Sequence, residues 1–166
     1  MLSAHTGCCL LLVASLGTPA DAPKPDFTGT WKLNVEASTL QPPPGSPDGV
    51  KGRPAEGSPM LEPMTVKQTA SSLVVTMPFY DAVVTTTYSL TGAKSLNPKP
   101  AGGGAMVDAE SVTKWDGDKL VVTTTWPGPR GTIRVTETWS LDSGRLVLGV
   151  VNGSGTWTKV YNPAPR

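Results

Sequence analysis

The chain has 166 residues, with 14 Lys or Arg and 13 Asp or Glu, giving a formal net charge of +1. This length suits one domain with its own core, and the balanced charge excludes the strong positive field of a non-specific nucleic-acid binder. Glycine (18 residues) and proline (17 residues) both exceed their usual shares, which predicts many turns and short elements.

The first 22 residues have the features of a secretory signal peptide. Their apolar run, residues 7–17, has the length of a signal-peptide core and is too short to span a bilayer. Small residues follow it, and Ala20 and Ala22 match the pattern of a cleavage site. We therefore expect an exported protein, secreted or periplasmic, with no transmembrane segment and a domain at residues 26–162. The alternative interpretation of the run is a short buried helix.

The predicted signal segment also contains the two cysteines, Cys8 and Cys9, and the single histidine, His5. Without them, the mature chain would lack disulfides, Ser–His or Cys nucleophiles, and His- or Cys-ligated metals. Carboxylates such as Asp108 and Glu110 could still serve acid–base chemistry, but such pairs are common on solvated strand edges. We therefore expect no catalytic residues, no metal and no cofactor, in a protein that is not an enzyme.

The rest of the chain predicts an antiparallel β domain, because apolar and polar residues alternate in short runs rich in Val, Thr, Trp and Tyr. Nine runs show this pattern: 27–35, 64–69, 72–77, 83–90, 107–115, 119–126, 132–141, 145–152 and 156–161. Very short turns such as Asp116-Gly117 favour hairpins between neighbours. Eight or nine strands joined in this way form either a closed up-and-down meander barrel or a two-sheet sandwich. We favour the barrel, because closure removes unpaired edges.

Two longer connections, residues 37–63 and 93–105, interrupt the series of hairpins. Both are rich in Pro and Gly, which is incompatible with a helix in the first of them. A connection of this length is either a lid over a barrel mouth or a disordered stretch. The run 145–152 is apolar on both faces, so one face must be covered by a loop or be offered to a protein partner.

Two charged residues lie on strand faces that otherwise look apolar. Glu137 shares a face with Val135 and Trp139, and Lys159 shares a face with Trp157 and Tyr161. A lone buried charge is costly. Either both groups reach solvent near strand ends, or they pair with each other, or they are polar anchors inside an apolar lumen. The inward-facing aromatic side chains either fill the core or contact a ligand: Trp31, Phe79, Tyr88, Trp126 and Trp139.

Several short motifs resemble the calycin group, which comprises lipocalins and fatty-acid-binding proteins. FTGTWK at 27–32 resembles the first strand, in which Gly-x-Trp closes one end of the barrel, and KWDG at 114–117 and TKVY at 158–161 resemble the late hairpin and last strand of fatty-acid-binding proteins. The series DFTGTWKLN, YSLTG, KWDGDKLVV and TWSLDSG resembles a family of secreted bacterial lipocalin-like (calycin-type) proteins. The resemblance implies a lipocalin-like barrel with a ligand in its lumen.

The chain departs from the fatty-acid-binding pattern at its ligand-binding positions. Lys159 and Tyr161 stand where that family has Arg-x-Tyr, and lysine lacks the planar two-pronged geometry of arginine. The family's second lumenal Arg would fall near Thr124. The helical lid of that family is replaced by the Pro-rich segment 37–63. The fold therefore carries over better than the ligand does.

Two functions remain open on the sequence. The first is a carrier of a small, mainly hydrophobic ligand in the lumen; the second is a non-catalytic interaction or scaffold module with a filled barrel. An apolar cavity of a few hundred Å3 would favour the carrier. Six residues are the candidate ligand-binding positions: Glu137, Trp139, Lys159, Tyr161, Tyr88 and Trp126.

Overall fold

The computed structural model describes residues 23–42, 52–100, 106–129 and 131–165. The predicted signal segment, with Cys8, Cys9 and His5, lies outside these residues, as do 43–51 and 101–105. The described strands are β1 Gly29–Leu33, β2 Met64–Gln68, β3 Ser72–Phe79, β4 Ala82–Ser89, β5 Ser95–Pro100, β6 Met106–Asp116, β7 Lys119–Gly128, β8 Gly131–Asp142, β9 Arg145–Asn152 and β10 Gly155–Pro163. A short 3-10 turn covers Pro59–Leu61. None of the helical structure in these ranges is long and apolar enough to cross a membrane.

All ten strands belong to one antiparallel sheet, in the order β4-β3-β2-β1-β10-β9-β8-β7-β6-β5. Every strand pairs with its neighbour in the chain, except that β4 and β5 do not pair and form the two edges of the sheet. In addition, β1 pairs with β10, with Leu33 opposite Tyr161. This pairing joins the two halves of the meander and curls the sheet into a nearly closed barrel. The predicted all-β, up-and-down barrel is thus confirmed.

The predicted strand count was short because β5 lies in a segment that we expected to be a loop. Pro98 has no N–H to donate, which suggested a break, but β5 pairs through its backbone only with β6 and is an edge strand, where proline is tolerated. The Asn97 side chain takes the place of the missing ladder across to β4. Its Nδ2 donates to the carbonyl of Thr87 (2.9 Å), and its Oδ1 accepts from the Thr87 N–H (2.8 Å).

The first strand is shorter than the alternation predicted. It ends at Leu33, and Val35, the last residue of the predicted run 27–35, lies in a turn over residues 35–37. Side chains stabilise this turn, because Asn34 Oδ1 accepts from the Ala37 N–H (3.0 Å) and Ser38 Oγ donates to the Asn34 carbonyl (2.6 Å). The chain then returns to β10, where Thr39 pairs with Thr158.

The strand β9 has apolar residues on both faces, as its sequence indicated. Leu146, Leu148 and Val150 are buried inside, whereas Val151 on the outer face is 49% exposed. Single exposed aliphatic side chains are ordinary on protein surfaces. A protein partner at this strand therefore stays a prediction.

The two ends of the barrel differ because successive strands run in opposite directions. The end with the turns after β2, β4, β6 and β8 is called the closed end here, and the opposite end is the open end. Phe27 is fully buried at the closed end, stacks on Trp115 with ring centroids 6.2 Å apart, and meets the edge of Trp139 at 5.9 Å. Trp31 Nε1 donates to the Phe27 carbonyl (3.0 Å). The tryptophan of the Gly-x-Trp motif thus packs where the resemblance implied.

The chain that carries Phe27 is held against the closed end by one side chain. Gln68, at the end of β2, accepts from the Phe27 N–H through Oε1 (3.0 Å) and donates through Nε2 to the Pro25 carbonyl (2.9 Å). Both polar atoms of this amide are therefore used. The bonds explain how a segment without strand geometry can keep a phenylalanine buried at the end of the barrel.

Candidate binding cavity in the barrel lumen

The barrel contains a cavity of about 230 Å3 on the open side of its aromatic core. We call it the inner cavity. Its walls are mainly apolar and come from β2, β3, β4, β5, β8, β9 and β10. The lining residues are Met64, Val75, Met77, Phe79, Val84, Thr86, Tyr88, Pro98, Lys99, Glu137, Trp139, Leu148, Lys159 and Tyr161. The aromatic side chains therefore do not fill the lumen, contrary to the filled-barrel alternative.

A second, outer cavity of about 490 Å3 lies between the barrel and the described part of the segment 37–63. Its lining residues are Leu40, Gln41, Pro42, Arg53, Pro54, Met60, Val135, Glu137, Val150, Asn152, Trp157 and Lys159. Glu137 and Lys159 line both cavities. We call the position of these two side chains, which border both spaces, the waist.

The described parts of the segment 37–63 line one side of the outer cavity. Leu40 bridges to Gly52, whose N–H donates to the Leu40 carbonyl (3.1 Å). Only glycine fits at this crossing, because a Cβ on Gly52 would overlap the carbonyl oxygen of Gln41. An exposed ion pair between Glu36 and Arg53 adds a second link. Residues 43–51 lie outside the described ranges, so the choice between a lid and a disordered stretch stays a prediction.

Glu137 and Lys159 lie inside their strands and are only partly exposed. Among the described residues, neither side chain forms an ion pair or a hydrogen bond. The direct pair, one of the three interpretations, is therefore absent. Both side chains line the inner cavity, and their role as polar anchors for a ligand stays a prediction.

Two tyrosines face the same part of the inner cavity. Tyr88 is 3% exposed and Tyr161 is half-buried, and within the described ranges neither hydroxyl has a hydrogen-bond partner. Burial raises the pKa of both phenols well above the usual value, and the negative charge of Glu137 raises each pKa further. The second effect requires the carboxylate to be close to both rings. Both tyrosines therefore keep their protons and remain hydrogen-bond donors.

The Nε1 of Trp139 is completely buried and has no hydrogen-bond partner in the described part of the chain. The ring lines the inner cavity and is 3% exposed. An unpartnered buried donor costs about 1–3 kcal/mol. Trp31 avoids this cost at the closed end through its bond to the Phe27 carbonyl.

Five of the six predicted ligand-binding residues line the inner cavity: Tyr88, Glu137, Trp139, Lys159 and Tyr161. Trp126 lines neither cavity; it lies near the end of β7, opposite Ile133. The alternation placed it on the inner face with Thr124, but Thr124 bonds to Ser111 (2.9 Å) and is buried there.

Several residues that line the inner cavity were not among the predicted ones. Val84 and Thr86 share a face with Tyr88, so the alternation in the run 83–90 could have identified them. Lys99 could not have been found in this way, because its strand was expected to be a loop. In the described ranges, no group of three or more His, Cys, Asp or Glu residues is placed to hold a metal ion.

Comparison with known proteins identifies the fold. No family model matches the chain, and no curated protein matches it in sequence. Solved structures do match: a mutant of the fluorescent protein UnaG superposes with a TM-score of 0.57 at 18% identity, over 84% of this chain and 97% of that one. Wild-type UnaG gives 0.55 at 19% identity over 83% and 97%. Human cRBP IV gives 0.54 at 14% identity over 84% and 99%. These likenesses show the fold alone, an antiparallel up-and-down β-barrel like those of calycins.

Proposed function

We propose that this chain is an exported, non-catalytic carrier of a small, mainly hydrophobic molecule, which it holds in the barrel lumen. The observation that carries the proposal is the inner cavity of about 230 Å3. Protein interiors are normally packed without spaces much larger than a water molecule, and small-molecule sites combine apolar walls with a few placed polar groups. The inner cavity has this composition.

The size of the barrel supports the same proposal. An eight-stranded barrel is just wide enough for its own side chains or one small ligand, and the diameter grows with the number of strands. This sheet has ten strands, one pair of which is joined by side chains. The similarity to UnaG and human cRBP IV supports the barrel architecture on which the proposal depends.

Export is the part of the proposal that rests on residues 1–22. Their apolar core and small-residue end are typical of signal peptides. Expression of the full chain with its own N-terminus in a secreting host tests this directly. We expect the protein outside the cytoplasm with residues 1–20 or 1–22 removed, as measured by intact-mass spectrometry; an uncut chain in the cytoplasm would refute export alone.

Ligand binding is tested with Nile red, an uncharged apolar dye, and with a pair of matched variants. Thr86 is buried and lines the inner cavity, whereas Thr85 beside it on β4 is exposed and faces outward. We expect Thr86→Trp to fill the cavity and weaken Nile red binding at least about tenfold, a loss of about 1.4 kcal/mol. Thr85→Trp should bind like the unmodified protein. Fluorescence titration measures both affinities.

Two outcomes would contradict the carrier. One is that the unmodified protein does not bind Nile red. The other is that Thr86→Trp and Thr85→Trp bind it equally well, because the dye would then lie elsewhere on the surface. Native mass spectrometry of gently purified protein provides an independent measurement, in which we expect a bound small molecule that Thr86→Trp lacks.

A further inference from the structure

We infer that Glu137 selects a ligand that carries a hydrogen-bond donor, an N–H or O–H group, at the waist of the lumen, and that it disfavours ligands with a carboxylate there. This inference rests on the proposed function. It goes further by naming the chemical class of the polar group and the residue that reads it.

Without Glu137, the charge of the inner cavity would be positive. Lys99 and Lys159 line the inner cavity. Arg53 lines the outer one, but its charge is already paired with that of Glu36. With Glu137 set aside, the charged groups that line these spaces are all positive. Such a lumen would favour an anion, and a single carboxylate would be its simplest ligand.

Glu137 adds a negative charge among these positive groups. It lines both cavities, so a ligand in either of them lies against this side chain. A carboxylate can only accept hydrogen bonds, and in the described structure Glu137 has neither an ion-pair nor a hydrogen-bond partner. A ligand donor would satisfy it, whereas a ligand carboxylate would repel it.

The polar groups around Glu137 are hydrogen-bond donors. Tyr88 and Tyr161 present hydroxyls to the inner cavity, and Lys159 presents an ammonium group. These can bind an acceptor on the same ligand. An amide with an N–H, or a hydroxyl group, offers both a donor for Glu137 and an acceptor for these groups. An ester offers only an acceptor.

The experiment uses three probes with the same alkyl chain: lauramide, N,N-dimethyllauramide and lauric acid. Lauramide offers a donor and an acceptor, its dimethyl form offers only an acceptor, and lauric acid is an anion. We expect the protein to bind lauramide about tenfold more tightly than either of the others, as expected for one charge-assisted hydrogen bond. Displacement of Nile red measures all three affinities.

Variants assign the preference to Glu137. In Glu137→Met the donor preference should disappear, and lauric acid should become the tightest probe because only lysines remain charged in the inner cavity. Lys159→Met is the matched control, in which lauramide should keep its advantage over the dimethyl form. Glu137→Gln removes the charge with little change in shape, and lauric acid should gain at least about tenfold relative to the unmodified protein.

The outcomes separate this inference from the proposed function. If the unmodified protein binds Nile red but binds lauric acid most tightly, or binds lauramide and its dimethyl form equally, the donor requirement is wrong and the carrier stands. If Glu137→Met keeps the order of the three probes while binding Nile red normally, Glu137 is not the determinant. If Nile red does not bind to the unmodified protein, the carrier fails and the inference fails with it.

Discussion

The two phenylalanines of the chain lie at opposite ends of the barrel and show how different those ends are. Phe27 at the closed end is fully buried between Trp115 and Trp139. Phe79 at the open end is 37% exposed, lines the inner cavity and touches Tyr80 edge-on at 5.1 Å. The closed end uses its aromatic residues to fill the barrel, whereas the open end uses them as the wall of a space.

The polar groups follow the same division. At the closed end, the indole of Trp31 and the amide of Gln68 are hydrogen-bonded. Around the inner cavity, Trp139 Nε1 and the charged groups of Glu137 and Lys159 have no partner in the described ranges. Buried polar groups are nearly always paired in proteins. The half of the barrel with unpaired groups is therefore the half suited to a ligand.

The largest expected difference between the two ends is in the free energy of unfolding. Phe27→Ala removes a fully buried ring from the closed end and should cost about 3–5 kcal/mol. Phe79→Ala removes a ring that already borders a space and solvent, so we expect less than about 1 kcal/mol. Urea denaturation measures both changes. Equal costs for the two variants would mean that the open end is packed as tightly as the closed end.

The response to alkaline pH should sharpen the comparison. The folded-state pKa values of Tyr88 and Tyr161 lie above the unfolded value of 10.0, so stability is fully present below that pH and decreases as the pH rises through it. For each tyrosine, the free energy of unfolding should fall by about 1 kcal/mol as the pH rises from about 10 to about 11. The double variant Tyr88→Phe and Tyr161→Phe should lose much less stability over this range.

The control for the pH experiment is the third tyrosine of the chain. Tyr80 is exposed at the β3–β4 turn. Tyr80→Phe should therefore leave the alkaline loss of stability unchanged. Thermal denaturation at several pH values measures all the variants; a loss that depends on Tyr80 would contradict the assignment to the cavity.

The smallest expected effect separates the two buried indoles. Trp31→Phe removes the hydrogen bond to the Phe27 carbonyl, whereas Trp139→Phe removes an N–H that has no partner. The first substitution should therefore cost about 1 kcal/mol more than the second. Chemical denaturation of the two variants under identical conditions tests this. A higher cost for Trp139→Phe would indicate that its indole N–H is satisfied in solution.

Some of the candidate site could be predicted because a charge on an apolar strand face is a local signal. Glu137 and Lys159 stood out in this way, and alternation then led to their neighbours on the same faces. The same alternation placed Trp126 on an inward face, but Trp126 lines neither the inner nor the outer cavity. Alternation assigns a residue to a face but does not give the height at which the barrel is open.

The sequence by itself determined the type of structure: antiparallel strands, most of their limits, and the face on which each side chain lies. These follow from period-two alternation and turn residues, which act over a few neighbouring positions. Only the tertiary structure decided that Asn97 joins the two edge strands and that Val35 leaves the sheet. It also decided that Glu137 and Lys159 both line two cavities. Distances across a lumen depend on strand number, tilt and register together, and no single segment contains that information.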